Sequence, residues 1–340
     1  LGVRRVSDVV RANRVEGLAL GAGYVWRARA QGVEARVLAS YGFADHRLKG
    51  ALTVSDASGV ELSVYREVRD VGDVPVVSPL VNSIAAQELG RDYGDYYLAE
   101  GARAELTRPL SPRAEWHVDV GRERIRTLAA RAAPASGTLR LNPPLGDTAL
   151  SFVRAGVRRR SGGFAVRRDL YVDLAVEVGR LDGGADYARA SAAGHVLLPA
   201  GGTRILVRAQ GGVASADVPP HRAFVLGGRG TLLGDGFRDW GGRRAAVIHA
   251  EWRVPVRGLA IGIGPYAELP AAITLAPYIA AGWADRPVLG TPWTATPGTR
   301  VTVGLGVECL GLLRVEAGLG LQSRRTRFAV DVARDFWDIL

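Results

Sequence analysis

The sequence predicts an all-β fold, a transmembrane antiparallel β-barrel of about sixteen strands. Three observations lead there. Long segments alternate apolar and polar residues. No uncharged apolar stretch reaches the roughly 18 residues a membrane-crossing helix needs. Short connections also alternate with long ones along the chain.

The alternation is clearest from Phe164 to Gly179. Phe164, Val166, Leu170, Val172, Leu174, Val176 and Val178 fall on one face, interrupted by Arg168. Asp169, Tyr171, Asp173, Ala175, Glu177 and Gly179 fall on the other. A strand that separates lipid from a polar interior must send every second side chain outward. The same split appears where Ala246, Ile248, Ala250, Trp252, Val254 and Val256 alternate with Val247, His249, Glu251, Arg253 and Pro255. It returns in Leu313–Gln322 and in Leu18–Arg29. A soluble β-sandwich alternates too. Its strands average about 5–6 residues, however, whereas these runs reach roughly 9–15. Glycines placed among the charges also suit a wide polar lumen better than a solvated sheet exterior. The one apolar candidate for a helical span, 259–284, is broken by Pro265, Glu268, Pro270 and Pro277.

Fifteen strands read clearly: 17–29, 33–44, 47–56, 59–68, 96–108, 113–124, 148–160, 164–180, 187–198, 203–215, 243–256, 273–284, 300–309, 312–322 and 326–337. A weaker one at Val3–Arg11 restores the even count of a barrel whose two ends lie on one side. With the C-terminus periplasmic, the long connections 69–95, 125–147, 216–242 and 285–299 all fall outside. The short ones at 108–112, 161–163, 199–202 and 310–311 fall inside, and only 257–272 is long on the inner side.

Composition sets bounds around this architecture. The 340 residues, 47% hydrophobic, are read as one barrel domain, 1–340. No methionine and no signal peptide is visible, so the chain is expected to be a piece of a longer protein whose upstream periplasmic region is absent. Cys309 is the single cysteine, which rules out an internal disulfide. The net charge is +10, and the basic residues are almost all arginine. They are scattered through strands and turns, which makes a poor phosphate track, so nucleic acid is not expected as a partner.

Enzyme patterns do not emerge. His46, His117, His195, His221 and His249 form no zinc-spaced pair. Gly227-Gly228-Arg229-Gly230 is not followed by the Lys-Ser/Thr of a phosphate loop, and Asp235-Gly236 lacks the spaced carboxylates of a calcium loop. No catalytic residue, metal site or cofactor is therefore predicted. Asp92-Tyr93-Gly94-Asp95-Tyr96-Tyr97 reads as an interfacial aromatic girdle in preference to a ligand site.

The most informative stretch is 222–256: Arg222-Ala-Phe-Val-Leu-Gly-Gly228, Arg229-Gly-Thr-Leu-Leu-Gly-Asp-Gly-Phe237, Trp240-Gly-Gly242 and Glu251-Trp-Arg253. It resembles the bacterial surface antigen superfamily, which includes the barrels of the outer-membrane assembly machine and the two-partner-secretion, haemolysin activator-like transporters. The resemblance implies a long loop, 216–242, folded into the lumen. Its motif residues would be Gly227, Gly228, Gly234, Phe237 and Arg238, and its lumen partners Glu251, Arg253 and Asp285. Asn13-Arg-Val-Glu-Gly-Leu18, Tyr41-Gly-Phe-Ala-Asp45 and the final stretch Phe328–Phe336 extend the resemblance over most of the chain. Two departures stand out. Leu233 occupies the place of the family's inward arginine, with Arg238 the candidate substitute, and Trp337–Leu340 follow the terminal aromatic. The implied activity is insertion or translocation of polypeptides at the outer membrane of Gram-negative bacteria, not bond chemistry. The implied partners are outer-membrane lipid and lipopolysaccharide, polypeptide substrates, and periplasmic or lipoprotein subunits. The first and last strands would form a weak seam, softened by Gly21, Gly23, Gly318 and Gly320. The competing reading is a passive pore or a solute- or lipid-handling barrel.

Overall fold

The computed structural model describes residues 2–28, 32–73, 76–160, 170–256, 260–263, 267–270 and 273–332. Its elements are α1 (Val6–Val9), β1 (Val10–Asn13), β2 (Gly17–Ala28), β3 (Val33–Gly42), β4 (Arg47–Asp56), β5 (Val60–Asp70), α2 (Pro79–Leu89), β6 (Tyr96–Ser111), β7 (Ala114–Thr127), β8 (Thr148–Arg160), β9 (Leu170–Leu181), β10 (Asp186–Ala200) and β11 (Thr203–Ala214). There follow β12 (Phe224–Leu226), β13 (Trp240–Gly242), β14 (Arg244–Val256), β15 (Ala260–Ile263), β16 (Ala267–Pro270), β17 (Ile273–Asp285), β18 (Arg300–Cys309), β19 (Leu313–Gly320) and β20 (Arg325–Val332).

Among the described residues, sixteen of these strands form one antiparallel sheet in the order β1 to β11, β14, β17, β18, β19, β20. Each strand pairs with its neighbour in the chain, and the two small hairpins β12–β13 and β15–β16 stand outside the main ladder. The expected strand number therefore holds. Hairpin after hairpin is closed by tight turns; at Gly59 (φ 78°) a Cβ would lie 2.2 Å from the Thr107 carbonyl oxygen, so only glycine fits.

Side chains obey the period of two. On β2, Leu18, Leu20, Tyr24 and Trp26 are exposed while Ala19 is buried. On β14, Ile248 and Trp252 are exposed while Val247, His249, Glu251 and Arg253 are buried. Tyr24 (68%), Leu48 (66%) and Phe328 (72%) mark an apolar surface that recurs from β2 to β20. Water does not tolerate a continuous apolar surface of that extent, and lipid does. The opposite face carries the charges and is buried under loops and ion pairs.

One expectation about the strands is corrected. The stretch Val3–Arg11 is a strand only from Val10; Val6–Val9 is a helical turn. The Asp8 carboxylate accepts from the Arg4 and Arg5 amides at 2.8 and 3.0 Å, which curls the chain before β1 can start. The connection 69–95 also contains a helix, α2. Ser78 caps it by accepting from the Val81 amide at 3.3 Å, Pro79 opens it, and Gly90 ends it at φ 62°. The 257–272 connection, long on its side as expected, holds the β15–β16 hairpin. The turn 161–163, the beginning of the strand read from Phe164, and Phe336–Leu340 lie outside the described residues.

The glycines expected to soften the seam also admit close neighbours. Cβ atoms on Gly21 and Gly23 would meet the Asp8 carbonyl oxygen at 2.2 Å and the Gly2 carbonyl carbon at 2.8 Å. The segment before β1 thus runs directly over β2, and Gly2 donates to the Gly23 carbonyl at 3.0 Å. Gly318 and Gly320 stay in register with Gly304 and Thr302 while admitting the tip of another loop.

Candidate functional site

That loop is the long connection between β11 and β14. It rises through a short 3-10 turn, Pro220–Arg222, then β12, and returns through β13, which pairs Leu226 with Trp240. Phe224, Leu226 and Leu232 pack with Ala245, Val247, Ala280 and Ala284 in an apolar cluster. From Leu226 to Gly236 all residues but Gly230 are buried.

Three sets of charged groups fasten its tip. The first centres on Arg238. Its guanidinium grips Asp70 with both nitrogens, each at 2.6 Å, reaches Asp95 at 3.3 Å and donates to the Val71 carbonyl. Arg238 is held at φ 49°, a left-handed conformation costing about 1 kcal/mol or more in a non-glycine residue, which these bonds offset. Asp95 also receives Arg14 at 2.8 Å and Arg140 at 2.5 Å. Burial opposes ionisation of Asp95, but Arg238, Arg140 and Arg14 outweigh it and hold the carboxyl below its usual range. Phe237 lies edge-on to Tyr93, ring centroids 5.8 Å apart, beneath the Arg140 and Arg238 guanidiniums.

The second set is at the turn of the tip. Asp235 receives two nitrogens of Arg300, at 3.1 and 2.5 Å, and the Trp240 indole at 3.1 Å. Here Gly234 presses on Gly320; a Cβ on Gly234 would lie 2.1 Å from the Gly320 nitrogen. Leu233, where an arginine was expected, is buried beside Gly318.

The third set is a continuous ionic chain across β14, β18, β19 and β20. Arg253 pairs with Glu308 and, at 2.9 Å, with Glu251. Glu251 takes both terminal nitrogens of Arg314, at 3.0 and 2.7 Å. Arg314 pairs with Glu316, which lies 3.7 Å from Arg229 of the loop. Arg229 then pairs with Asp331 on β20, and Asp331 also accepts from the Ser78 amide at 2.9 Å and the Ser78 hydroxyl at 2.5 Å.

The predicted site residues therefore divide. Gly227, Gly228, Gly234, Phe237 and Arg238 share the fastened loop, with Gly227 and Gly228 at φ 117° and 84°. Glu251 and Arg253 touch each other and are linked to the loop through Arg314, Glu316 and Arg229. Asp285 is not part of the cluster. It sits in phase with Leu275, Ile279 and Trp283 on the exposed side of β17 and lies 3.9 Å from Arg286. Counting by twos from Trp283 places it there. The segment Asp92–Tyr97 is likewise no exposed girdle: Asp92, Asp95, Tyr96 and Tyr97 are buried, and the Tyr96 hydroxyl donates to Asp92 at 2.8 Å. Its carboxylates serve arginines of other loops, a demand that local spacing does not display.

The two N-terminal motifs also meet. Lys49 on β4 binds Glu16 and Asp45, each at 2.8 Å, and Arg11 binds Glu16 at 2.8 Å. Burial disfavours the Glu16 carboxylate, but Arg11 and Lys49 dominate and bring its pKa down to about 2. Among the described residues no group of three metal-ligating side chains comes together.

No family model matches the sequence, and no curated protein does. Solved structures match in fold. The crystal structure of BamA from Haemophilus ducreyi lacking POTRA domains 1–3 aligns over 95% of this chain and 69% of its own, with 11% identity and a TM-score of 0.60. CdiB from Acinetobacter baumannii aligns over 94% of this chain and 57% of its own (14% identity, TM-score 0.47), and CdiB from Escherichia coli over 94% and 60% (13% identity, TM-score 0.48). This chain thus spans less than two thirds of either CdiB chain. At such identities a likeness speaks for the fold alone, and the BamA alignment speaks for it over nearly the whole chain: the chain has the fold of the BamA barrel.

Proposed function

We propose that the chain is a closed sixteen-stranded barrel of the bacterial outer membrane, with the segment between β11 and β14 folded into its lumen, and that it assists insertion or translocation of polypeptides there. Closure is supported by what meets at α2: the Ala12 amide of β1 reaches Ser83 at 2.9 Å, and Asp331 of β20 reaches Ser78. A flat sheet of sixteen strands keeps its two edges far apart. Residence in lipid is supported by the apolar outward face. The lumen loop is supported by its bonds to β5 on one side and to β18 and β20 on the other.

The observation that carries the activity is the seam. Among the described residues β1 and β20 end the sheet without pairing with each other, in a fold shared with the BamA barrel. Unpaired strand edges accept added strands. Outer-membrane lipid, lipopolysaccharide and polypeptide substrates are the partners this reading assigns, with periplasmic or lipoprotein subunits as further candidates. No catalytic group, metal or cofactor enters it. Depleting the protein in its host and measuring outer-membrane protein levels tests the proposal: levels should fall, and unchanged levels would overturn it. Conductance in planar bilayers tests the pore reading, which requires large steady openings in the wild-type chain.

A further inference from the structure

Helix α2 stands where a strand would be expected. Ala12 is opposite Leu18 in the β1–β2 register, and the Leu18 carbonyl is turned to β3, accepting from Phe43 at 2.9 Å. The peptide of Ala12 therefore faces the other way, toward the edge of β1 that is unpaired among the described residues. Its amide donates there to the Ser83 hydroxyl at 2.9 Å, and the same hydroxyl donates to the Pro79 carbonyl at 2.7 Å. One turn earlier, Ser78 is bonded twice to Asp331 on β20. Asn82 fixes the helix from behind, donating to Tyr96 at 3.0 Å and accepting from the Tyr93 amide at 2.8 Å.

The hold is mainly polar. The buried apolar side chains of α2 are Ala85 and Ala86, whereas Leu80, Ile84 and Leu89 stay exposed. Two alanines bury little apolar area, so hydrogen bonds carry the attachment. Such bonds are exchangeable: an extended peptide offers the Ala12 amide a carbonyl in place of a hydroxyl.

We propose that α2 is a removable bolt in the β1–β20 seam, which an incoming extended polypeptide displaces to pair with the edge of β1. Asp331 couples the bolt to the loop, because it holds Ser78 and Arg229 together. The proposal rests on the polypeptide-handling reading for its occupant, but the bolt itself is testable without it.

Amide hydrogen exchange on the full chain in lipid nanodiscs reads the bolt directly. Ser83→Ala should speed exchange at 10–13 on the order of tenfold, as losing one hydrogen bond implies, and Ser83→Thr should restore it. Asp331→Asn should speed exchange at both 10–13 and 325–332. Peptides from β7 and β8 should not change in any variant. Wild-type exchange at 10–13 in both Ser83→Ala and Asp331→Asn would overturn the bolt. A second arm locks the helix in place and compares the same variant with and without the lock. In a Cys309→Ser background, Ala12→Cys and Ser83→Cys are bridged by a short bis-maleimide. A labelled synthetic peptide with the sequence of β20 should bind the unbridged chain and be excluded from the bridged one. Equal binding to both would overturn the displacement. Unchanged outer-membrane protein levels on depletion, with the exchange and peptide results as expected, would remove the assigned function and leave the bolt.

Discussion

Arg238 shows how one side chain carries a loop. It is almost fully buried and has Asp70, Asp95 and the Val71 carbonyl as acceptors. Removing one partner of a buried pair costs about 3–5 kcal/mol. Arg238→Ala should therefore raise the cleavage rate of 227–242 in limited proteolysis by roughly a hundredfold to a thousandfold. Arg238→Lys should restore little, because an ammonium does not reproduce the two-pronged grip on Asp70. Glu251→Ala should expose the loop less, since Glu251 reaches it through Arg314, Glu316 and Arg229; equal effects would place Glu251 in the latch itself. Glu16 makes a prediction in pH. Its carboxyl is lowered from 4.5 to about 2 in the fold. The stabilisation is complete above its unfolded value and is lost as pH falls through the folded one, about 3 kcal/mol in all. Thermal midpoints by circular dichroism should drop between pH 4.5 and 2 in the wild type and change less in Glu16→Gln. The sequence exposed Arg238 only through its distance from a motif; it gave no role to Asp70 and read Asp95 as part of a girdle, because a carboxylate far along the chain has no spacing to announce its partner. Asp331 was legible in principle: Phe328 and Val330 face outward, so position 331 faces inward.

At the scale of elements, strands were readable and departures from them were not. Alternation identifies β2, β14 and β19 residue by residue because each lies between two unlike media. It says nothing of α2, whose few buried groups leave no apolar stripe, although Ser78-Pro79 and Gly90 are the usual start and stop of a helix. It also misled at Val3–Arg11, where the chain folds over β2. Gly21→Val tests that arrangement. A side chain there collides with the Asp8 carbonyl oxygen, so residues 2–9 should lift away and exchange their amides faster, while β2 keeps its pairing with β3. Unchanged exchange at 2–9 would mean that the segment does not rest on Gly21.

For the whole molecule, the apolar surface and the meander order decide the environment. Val176 is 56% exposed, and its neighbours Leu174 and Val178 are similar. An arginine near the middle of a lipid-facing strand costs about 2–4 kcal/mol. Val176→Arg should lower the stability of the chain refolded into phospholipid vesicles by that amount in urea titrations, and a loss well under 1 kcal/mol would argue that the face does not contact lipid.

Ser78 and Asp331 also bear on the order of assembly. The ladders join neighbours in the chain, so the sheet grows by local steps, each closing a short loop at small entropic cost. The Ser78–Asp331 contact spans 253 residues. Its acceptor exists only once the last strand does, so a truncated or still-emerging chain holds α2 through Asn82 and Ser83 but not through Ser78. Fastening at Asp331 therefore waits for the last strand, and chains that stop before β20 should keep the Ala12–Ser83 and Arg238–Asp70 contacts while Ser78 and Arg229 lack their Asp331 acceptor.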